Sequence, residues 1–399
     1  MQTFSKKPPE NYVVLDCETT THNKGHPFDP RNRLVSYAYR FCHGPICFRY
    51  HTDPSFSARL LPSDLCLGTF IGFNAKFDWH WASHLLDHDV KVWDCQLAEH
   101  VYTGQKAQFI SLNECLERYG LETKKDIVKE LWEAGVQTDE IAVPILQEYN
   151  EWDVTQTEKL YHIQQELLSE EQKKLVYLMG EDLKVLASIE RAGLLFDVDG
   201  ATRAVAEFKS AVADVEAQLQ QRLPPIQFGT FNFDSGDHLS CFLYGGTLNF
   251  DYATSEESVY KSGAKKGTPY TKNTWHVEVV EFPGYFKPLE NTEVAKTKGK
   301  AEVATRFYQT DGPTLASLKG GGKVGKDIIS LLTTRAEKQK LVEMLESLFK
   351  QFQTKGWEGN LVHGQYNQNV AITGRLSSSS PNMQNIPPEI DKFFVSRYD

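Results

Sequence analysis

The feature that most constrains this chain is a change of pattern near residue 170. Before it, short apolar runs alternate with helical patterns, and after it apolar residues recur at helical spacing over long stretches. Alternating strands and helices predict an α/β domain, whereas long helical stripes predict a mostly α-helical region. At 399 residues the chain is long enough for two or three domains. We therefore expect an α/β domain followed by a helical one.

Strand-like apolar runs occur at Tyr12–Leu15, Leu34–Phe41, Ile46–Tyr50 and Leu67–Phe73. Helical patterns in the first region cover Trp93–Tyr102, Ser111–Tyr119 and Ile141–Leu168. In the second region the apolar stripes are Leu175, Leu178, Met179, Leu183 and Leu186, then Val205, Phe208, Val212, Val215 and Leu219, and then Leu341, Leu345, Leu348 and Phe352. We interpret these stripes as core-packing seams. The segment 245–325 between the last two stripes is predicted to be irregular.

Composition and charge exclude several classes of protein. The sequence contains no run of 18 apolar residues that could cross a membrane, and Met1–Glu10 lacks the apolar core of a secretory signal. We therefore expect a cytoplasmic protein. The seven cysteines form no CxxC pair, so reduced thiols and no structural zinc are predicted.

A net charge of −10 argues against a cationic coat for nucleic acid, but it leaves room for a local basic surface. Between Lys261 and Arg306, lysines and arginines outnumber glutamates and are interleaved with tyrosine, tryptophan and phenylalanine. That composition suits a surface that follows a phosphate backbone and stacks bases. It suits a solvated insertion loop equally well, and both interpretations stay open.

Two carboxylates stand close together at the first strand, in the segment VVLDCETT. Asp16 and Glu18 are two residues apart, so on a strand their side chains point to the same face. Like charges held close repel unless a cation lies between them, and hard oxygen ligands suit Mg²⁺ or Mn²⁺. Taken alone the pair is weak evidence, because such pairs are common on solvated strands.

Two further motifs strengthen the evidence that Asp16 and Glu18 belong to a functional site. GFNAKFD puts Asn74 four residues before Asp78, where a strand should give way to a helix. YNEWD puts Tyr149 four residues before Asp153, and on a helix this spacing brings a phenol and a carboxylate to one face. The three motifs in this order resemble those of the DEDD superfamily of 3′–5′ exonucleases, in the variant with a tyrosine in the third motif. The resemblance covers about residues 10–170.

The resemblance implies two divalent metal ions, Mg²⁺ or Mn²⁺, and a role for each acidic residue. Asp16 would bridge both ions, Glu18 and Asp153 would complete the first, and Asp78 would hold the second through water. Tyr149 would orient the attacking water by a hydrogen bond, because a phenol is a poor base at neutral pH.

The same resemblance implies a ribonuclease H-like mixed sheet flanked by helices. It also implies that Asn74 and Phe77 steady the terminal nucleotides of the substrate.

Besides the three exonuclease-like motifs, a separate motif, hereafter the second motif, lies near the other end of the chain. Residues 373–387 read TGRLSSSSPNMQNIP, which resembles the TGRLSS…PNLQNIP signature of family A DNA polymerases. Arg191–Asp197 (RAGLLFD) and Phe231–Ser235 (FNFDS), with Leu239 after it, are similar to segments of that family's thumb. The chain is most similar to the compact bacteriophage replicative type.

In that family the signature contacts the primer terminus and the template beside it. Arg375 can place a planar cation in the minor groove, and the uncharged side chains suit phosphate and sugar oxygens. The predicted nucleic-acid contacts are Thr373, Arg375, Ser377, Ser378, Asn382, Gln384 and Asn385.

The two resemblances together predict an exonuclease domain at 1–170, a thumb region at 171–357 with the insertion 245–325, and the start of a palm at 358–399. The metal-binding aspartates of a polymerase palm find no match in the sequence. We therefore expect half of a split polymerase or a truncated reading frame, with DNA and a C-terminal palm-and-fingers polypeptide as partners. The insertion is a place where a processivity factor could bind.

Two other functions compete with a proofreading exonuclease. A free-standing exonuclease on RNA or DNA would not need the thumb-like segments and the primer-binding signature. A non-catalytic subunit that only grips DNA would not need the full set of carboxylates.

Overall fold

The computed structural model describes residues 11–57, 60, 68–86, 89–123, 127–263, 265–294 and 307–397. The chain forms two compact units, one from Met1–Ala201 with Glu346–Asp399 and one from Thr202–Leu345. Three parts of the chain discussed above lie outside the described residues: Met1–Glu10, Leu67 of a predicted strand, and residues 264 and 295–306 of the predicted insertion.

The first unit is built on a mixed five-stranded sheet. Its strands are β1 Tyr12–Thr19, β2 Leu34–Phe41, β3 Ile46–Tyr50, β4 Thr69–Gly72 and β5 Lys91–Asp94, and a further short strand is β6 Leu194–Phe196. The order across the sheet is β3-β2-β1-β4-β5. β1 lies at the centre, antiparallel to β2 and parallel to β4. The predicted α/β class is confirmed by this mixed sheet and its helices.

The helices of this region are α1 Ala75–Ala82, α2 Cys95–Tyr102, α3 Leu112–Arg118, α4 Ile127–Glu133, α5 Val143–Leu167 and α6 Glu170–Ala192. The next helix, α7 Val198–Gln220, begins in this unit and continues into the second. The side chains of Tyr12 through Leu15 are at most 2% exposed, because β1 is covered on both faces. α5 and α6 pack against the sheet, and α6 comes so close to β5 that a Cβ on Gly180 would lie 2.1 Å from the Val92 carbonyl oxygen.

Three predictions about this region need correction. The first strand continues to Thr19 rather than ending at Leu15, so Asp16 and Glu18 lie within it. The predicted helix from Trp93 begins at Cys95 instead, because Trp93 and Asp94 complete β5. The apolar stripe on α6 is also only partly a core seam.

On α6 the predicted stripe does not coincide with the buried face. Leu183 and Leu186 are buried, but Leu175 and Leu178 are 40% and 59% exposed. Val176, which lies off the predicted stripe, is fully buried against the sheet core.

The second unit has its own apolar core, rich in phenylalanine. Its strands are β7 Gly246–Val259, β8 Pro269–Phe282, β9 Glu293–Val294 and β10 Phe307–Tyr308, and its helices are α8 Gly236–Tyr244, α9 Gly312–Ser317 and α10 Gly322–Lys355, the last of which continues into the first unit. The prediction that 245–325 is irregular is wrong, because β7 and β8 form a regular antiparallel ribbon of 14 residues each.

The C-terminal elements belong to the first unit. They are β11 Leu361–Val362, β12 Gln365–Asn367, β13 Ser377–Ser379, α11 Pro388–Asp391 and β14 Phe394–Val395. β11 and β14 pair with the two sides of β6, and β12 pairs with β13. Among the described residues, the helices are all too short or too polar for a bilayer crossing.

A buried glutamate on α6 connects α1 to the C-terminal segment. Glu190 Oε1 accepts hydrogen bonds from Lys76 Nζ at 2.6 Å and from the Tyr366 backbone N–H at 2.7 Å. Glu190 Oε2 lies 2.8 Å from His80 Nε2. Burial alone would raise the pKa of Glu190, but the His80 hydrogen bond and the Lys76 charge hold it below its usual value.

Three histidines and an aromatic ring form a second connection in the same unit. The Phe28 ring stacks on His363 with 4.5 Å between centroids and meets His80 edge-on at 5.1 Å. His26 lies 5.6 Å from the same ring, and Trp357 lies 5.9 Å from His363. These contacts bury all three imidazoles at the junction of the sheet domain and the C-terminal segment.

Candidate functional site

The central strand and the longest helix of the sheet domain bring three carboxylates together. Asp16 and Glu18 lie on β1, opposite Ala38 and Ser36 of β2, and Glu18 is only 8% exposed. Asp153 lies on α5 and is likewise 8% exposed. One oxygen from each of the three carboxylates lies within 4.8 Å of the others.

Asp78 reaches the same part of β1 by a different contact. It is buried in the first turns of α1, and its Oδ1 accepts a hydrogen bond from the Cys17 backbone N–H at 3.0 Å. Cys17 stands between Asp16 and Glu18 in the strand. Burial, followed by the nearby Asp16 charge, raises the pKa of Asp78 well above its usual value.

The structure adds one residue to this site that the sequence motifs did not single out. Asn150 is fully buried on α5, three residues before Asp153. Its Nδ2 donates to Asp16 Oδ2 at 2.9 Å, and its Oδ1 accepts from Ser36 Oγ at 2.7 Å. The i, i+3 spacing from Asp153 was the available signal, because it puts both residues on one helix face.

Asn74 begins α1, as its motif predicts, and has a left-handed backbone with φ 57°. Its backbone N–H and that of Ala75 donate to the buried Asp94 carboxylate at 3.1 and 2.9 Å. Asp94 also accepts from the N–H groups of Gln96 and Leu97 and so caps α2. This carboxylate, which the sequence interpretation missed, fixes the backbone that presents the exposed Asn74 side chain.

Phe77 directly precedes Asp78 in the sequence, and Tyr149 lies four residues before Asp153. The Phe77 ring lies beside Gly25, where a Cβ would be 3.4 Å from two ring carbons. Tyr149 is one helical turn before Asp153 on α5, half-buried, and its ring meets that of Trp132 edge-on at 6.1 Å. The catalytic role predicted for Tyr149 and the nucleotide contacts predicted for Asn74 and Phe77 stay predictions.

The second motif forms a separate, largely exposed surface. Five of its seven predicted contact residues are exposed: Thr373, Arg375, Asn382, Gln384 and Asn385. Ser377 is half-buried in β13. Ser378 is buried, and its hydroxyl accepts from the Met383 N–H at 2.9 Å and donates to the Pro381 carbonyl at 3.3 Å. The Ser378 hydroxyl thus shapes the turn that presents its exposed neighbours.

The second motif can be compared with known proteins over its whole length. Residues 285–397 match the family model described as DNA polymerase family A. DNA polymerase I of Synechocystis sp. is 35% identical over 92 residues, which is 23% of this chain and 9% of that protein. DNA polymerase I of Mycobacterium tuberculosis is 34% identical over 84 residues, which is 21% of this chain and 9% of that protein.

A solved structure extends the comparison to the fold. The POL domain of Pol1 from M. smegmatis, in complex with DNA primer-template and dNTP, superposes with a TM-score of 0.60 at 16% identity. The match covers 96% of this chain and 54% of that one, so the chain spans about half of the solved domain and shares its fold. Together these matches show that the C-terminal part of this chain is related to the family A DNA polymerases.

Proposed function

We propose that this chain is the 3′–5′ proofreading exonuclease and primer-template-binding portion of a family A DNA-directed DNA polymerase. The observation that carries the proposal is the convergence of Asp16, Glu18 and Asp153, with Asp78 bonded to the backbone between the first two. The ribonuclease H-like classification of the sheet domain and the bacteriophage type are parts of the same proposal. The related polymerase segment supplies the context in which a 3′-end hydrolase would proofread.

The donor set fits divalent metal ions. Three mostly buried carboxylates within 4.8 Å of one another repel unless a cation neutralises them, and carboxylate oxygens are the ligands that Mg²⁺ and Mn²⁺ prefer. By this proposal Asp16, Glu18 and Asp153 would hold one ion, and Asp16, with Asp78 acting through water, would hold a second. When bound, two such ions lower the pKa of water and neutralise the alkoxide that leaves.

The chain's own side chains orient the reaction. Asn150 donates a hydrogen bond to Asp16 Oδ2 and so orients the Asp16 carboxylate. Tyr149 would donate or accept one hydrogen bond to the attacking water. Hydrolysis forms a bond from that water to phosphorus and breaks the bond to the 3′ oxygen of the strand, which releases a nucleoside 5′-monophosphate.

The exposed second motif would bind paired DNA. The solved relative holds a primer-template, and the side chains presented here are one guanidinium and several uncharged donors. Nucleotide addition needs palm and fingers residues outside these 399, in a separate C-terminal polypeptide or in a continuation of the chain. The β7–β8 ribbon stays the proposed place for a processivity factor.

The test is a degradation assay on a 5′-labelled single-stranded DNA with Mg²⁺, with EDTA, and with the Asp16→Asn variant. We expect stepwise shortening from the 3′ end by the wild type only, and Ca²⁺ should support binding without efficient cleavage. Asp214→Asn removes one negative charge at an exposed site on α7 and should cleave like the wild type.

Outcomes of that assay separate the competing functions. Cleavage that survives Asp16→Asn or EDTA would overturn the metal-dependent assignment. A wild type that binds DNA but never cleaves would indicate the non-catalytic accessory subunit. Cleavage of RNA at least as fast as DNA, without affinity for a primer-template, would indicate the free-standing exonuclease.

A further inference from the structure

A second group of possible metal ligands lies beside the amino-terminal end of β1. The carboxylates Asp16 and Glu18 lie toward the other end of that strand. Glu158 and His162 lie one turn apart on α5, and His43 lies in the turn between β2 and β3. One ligand atom from each of these three residues lies within 4.8 Å of the others. All three belong to the first compact unit.

The Tyr12 hydroxyl marks the point on which these groups converge. It donates to Glu158 Oε1 at 2.9 Å and lies 3.2 Å from His43 Nε2 and 3.3 Å from His162 Nε2. His43 Nδ1 is also 3.5 Å from Glu158 Oε1, and the two imidazoles stack with 4.9 Å between centroids. Two imidazole nitrogens, a carboxylate oxygen and a phenol oxygen therefore surround one small volume.

These ligands differ in type from those of the cluster Asp16, Glu18 and Asp153, which offers carboxylate oxygens alone. Imidazole nitrogen together with a single carboxylate oxygen suits Zn²⁺ and similar borderline ions, whereas Mg²⁺ prefers oxygen ligands alone. Three protein ligands with a further oxygen nearby also match the four-coordinate arrangement that Zn²⁺ adopts.

The surroundings hold the ligands in place. Arg40 Nη1 binds Glu158 Oε2 at 2.6 Å, which fixes the carboxylate and leaves Oε1 facing the histidines. Outer partners of this kind orient ligating carboxylates in metal sites. Cys42 Sγ lies 3.2 Å from the backbone nitrogen and 3.4 Å from the carbonyl oxygen of Tyr12, so the turn that carries His43 is fastened to β1.

We propose that His43, Glu158 and His162 form a binding site for a divalent transition-metal ion of the Zn²⁺ type, which fastens the β2–β3 turn to α5. The site does not depend on the proposed nuclease function. The prediction of no structural zinc came from cysteine and histidine spacing, and that spacing says nothing about ligands that only the fold brings together.

The test is calorimetric titration of Zn²⁺ at pH 7.5 into the full chain carrying Asp16→Asn and Asp153→Asn, which disables the carboxylate group. We expect one equivalent of bound Zn²⁺ that millimolar Mg²⁺ does not displace. His43→Gln or His162→Gln, added to this chain, should weaken Zn²⁺ binding about tenfold or more. His84→Gln, at an exposed histidine outside the group, is the matched control and should bind like its parent.

Two thermal-unfolding measurements, without and with Zn²⁺, can also refute the proposal. The His43 side chain is 64% exposed, so His43→Gln should leave the fold intact, and its thermal unfolding without metal should match that of the parent. Zn²⁺ should raise the melting temperature of the parent but not of His43→Gln, because a ligand that binds only the folded state stabilises it. Equal Zn²⁺ affinity in the parent and in His43→Gln, or no Zn²⁺ binding by the parent, would refute the site.

Discussion

Two regions of one compact unit differ in burial and in charge: the second motif, and the cluster of carboxylates formed by Asp16, Glu18, Asp78 and Asp153. Glu18, Asp78 and Asp153 are at most 8% exposed, so the chain concentrates like charge where water screens it little. The second motif offers one guanidinium, Arg375, and several uncharged donors on an exposed turn. Buried carboxylates repel one another until a cation binds or a proton is taken up, whereas exposed donors cost little until a ligand binds. By the function proposed above, the first region would carry out the chemistry and the second would bind DNA.

The largest expected effect is a loss of 3′-end hydrolysis that leaves primer-template binding almost unchanged. Asp153→Asn removes one carboxylate from the buried group, so 3′-end hydrolysis should fall by about 10³-fold or more, as for loss of a group that stabilises transition-state charge. Binding of a primer-template duplex should stay within about threefold of the wild type, because the second motif is untouched. Single-turnover hydrolysis and fluorescence anisotropy measure the two quantities.

The matched control for Asp153→Asn is Glu148→Gln, an exposed charge removal on the same helix. It should leave both rate and affinity unchanged. If Asp153→Asn reduced binding and hydrolysis by the same factor, the division between a chemical region and a contact region would fail.

The next effect concerns Tyr149. If its phenol orients water and carries no charge, Tyr149→Phe should slow hydrolysis by about 10²-fold or less, as for the loss of one positioned hydrogen bond. Its ring packing on Trp132 would be kept. A quenched-flow comparison with Asp153→Asn is the measurement, and equal losses in the two variants would show that the role of Tyr149 is misassigned.

A smaller effect is expected at Asn150. Asn150→Leu keeps the branched shape and the number of side-chain heavy atoms, but it removes the bond to Asp16 and leaves the buried Ser36 hydroxyl without its acceptor. We expect about 1–3 kcal/mol of lost stability from the unsatisfied group and a rate loss of roughly tenfold.

A purely structural role for Asn150 would change stability alone. A role in positioning Asp16 should also raise the Mg²⁺ concentration needed for half-maximal rate. Gln147→Leu, at an exposed position on the same helix, serves as the control and should shift neither quantity.

The smallest effect lies in the contact region. Arg375→Ala should weaken primer-template binding by roughly fivefold to tenfold, about 1 kcal/mol, for the loss of one groove-directed cation. Hydrolysis of single strands should be unaffected. Anisotropy titrations at two salt concentrations would test this, and a wild-type affinity would remove Arg375 from the proposed DNA surface.

Local patterns predicted the elements of the sheet domain well. The bounds of β2 and β3 agree with the apolar runs, and α3 and α5 fall within the predicted helices. The start of the first strand and the helix carrying Asp153 were predicted correctly, although the strand extends to Thr19 and so includes Asp16 and Glu18. Strand alternation and helical spacing are local properties, so a sequence can display them.

What the sequence did not reveal depends on distant partners. The bond between Ser36 and Asn150 joins residues 114 positions apart, and no local pattern marks it. The β7–β8 ribbon was missed because the Gly-, Lys- and Thr-rich composition of its segment was given more weight than the apolar–polar alternation of Leu248–Tyr252 and Trp275–Val279. Most residues of the ribbon are exposed on both faces. Trp275 in this ribbon, for example, is 71% exposed.

The histidines around Phe28 make this molecule sensitive to acid. Burial, with the nearby Lys355 charge, lowers the pKa of His26 to about 4, and burial also lowers the pKa of His80 and His363. Below about pH 6.5 the unfolded chain takes up protons that the folded imidazoles resist, so the contribution of these histidines to stability is fully present above that pH and is lost as the pH falls toward 4. The junction between the sheet domain and the C-terminal segment should therefore loosen early during acid denaturation.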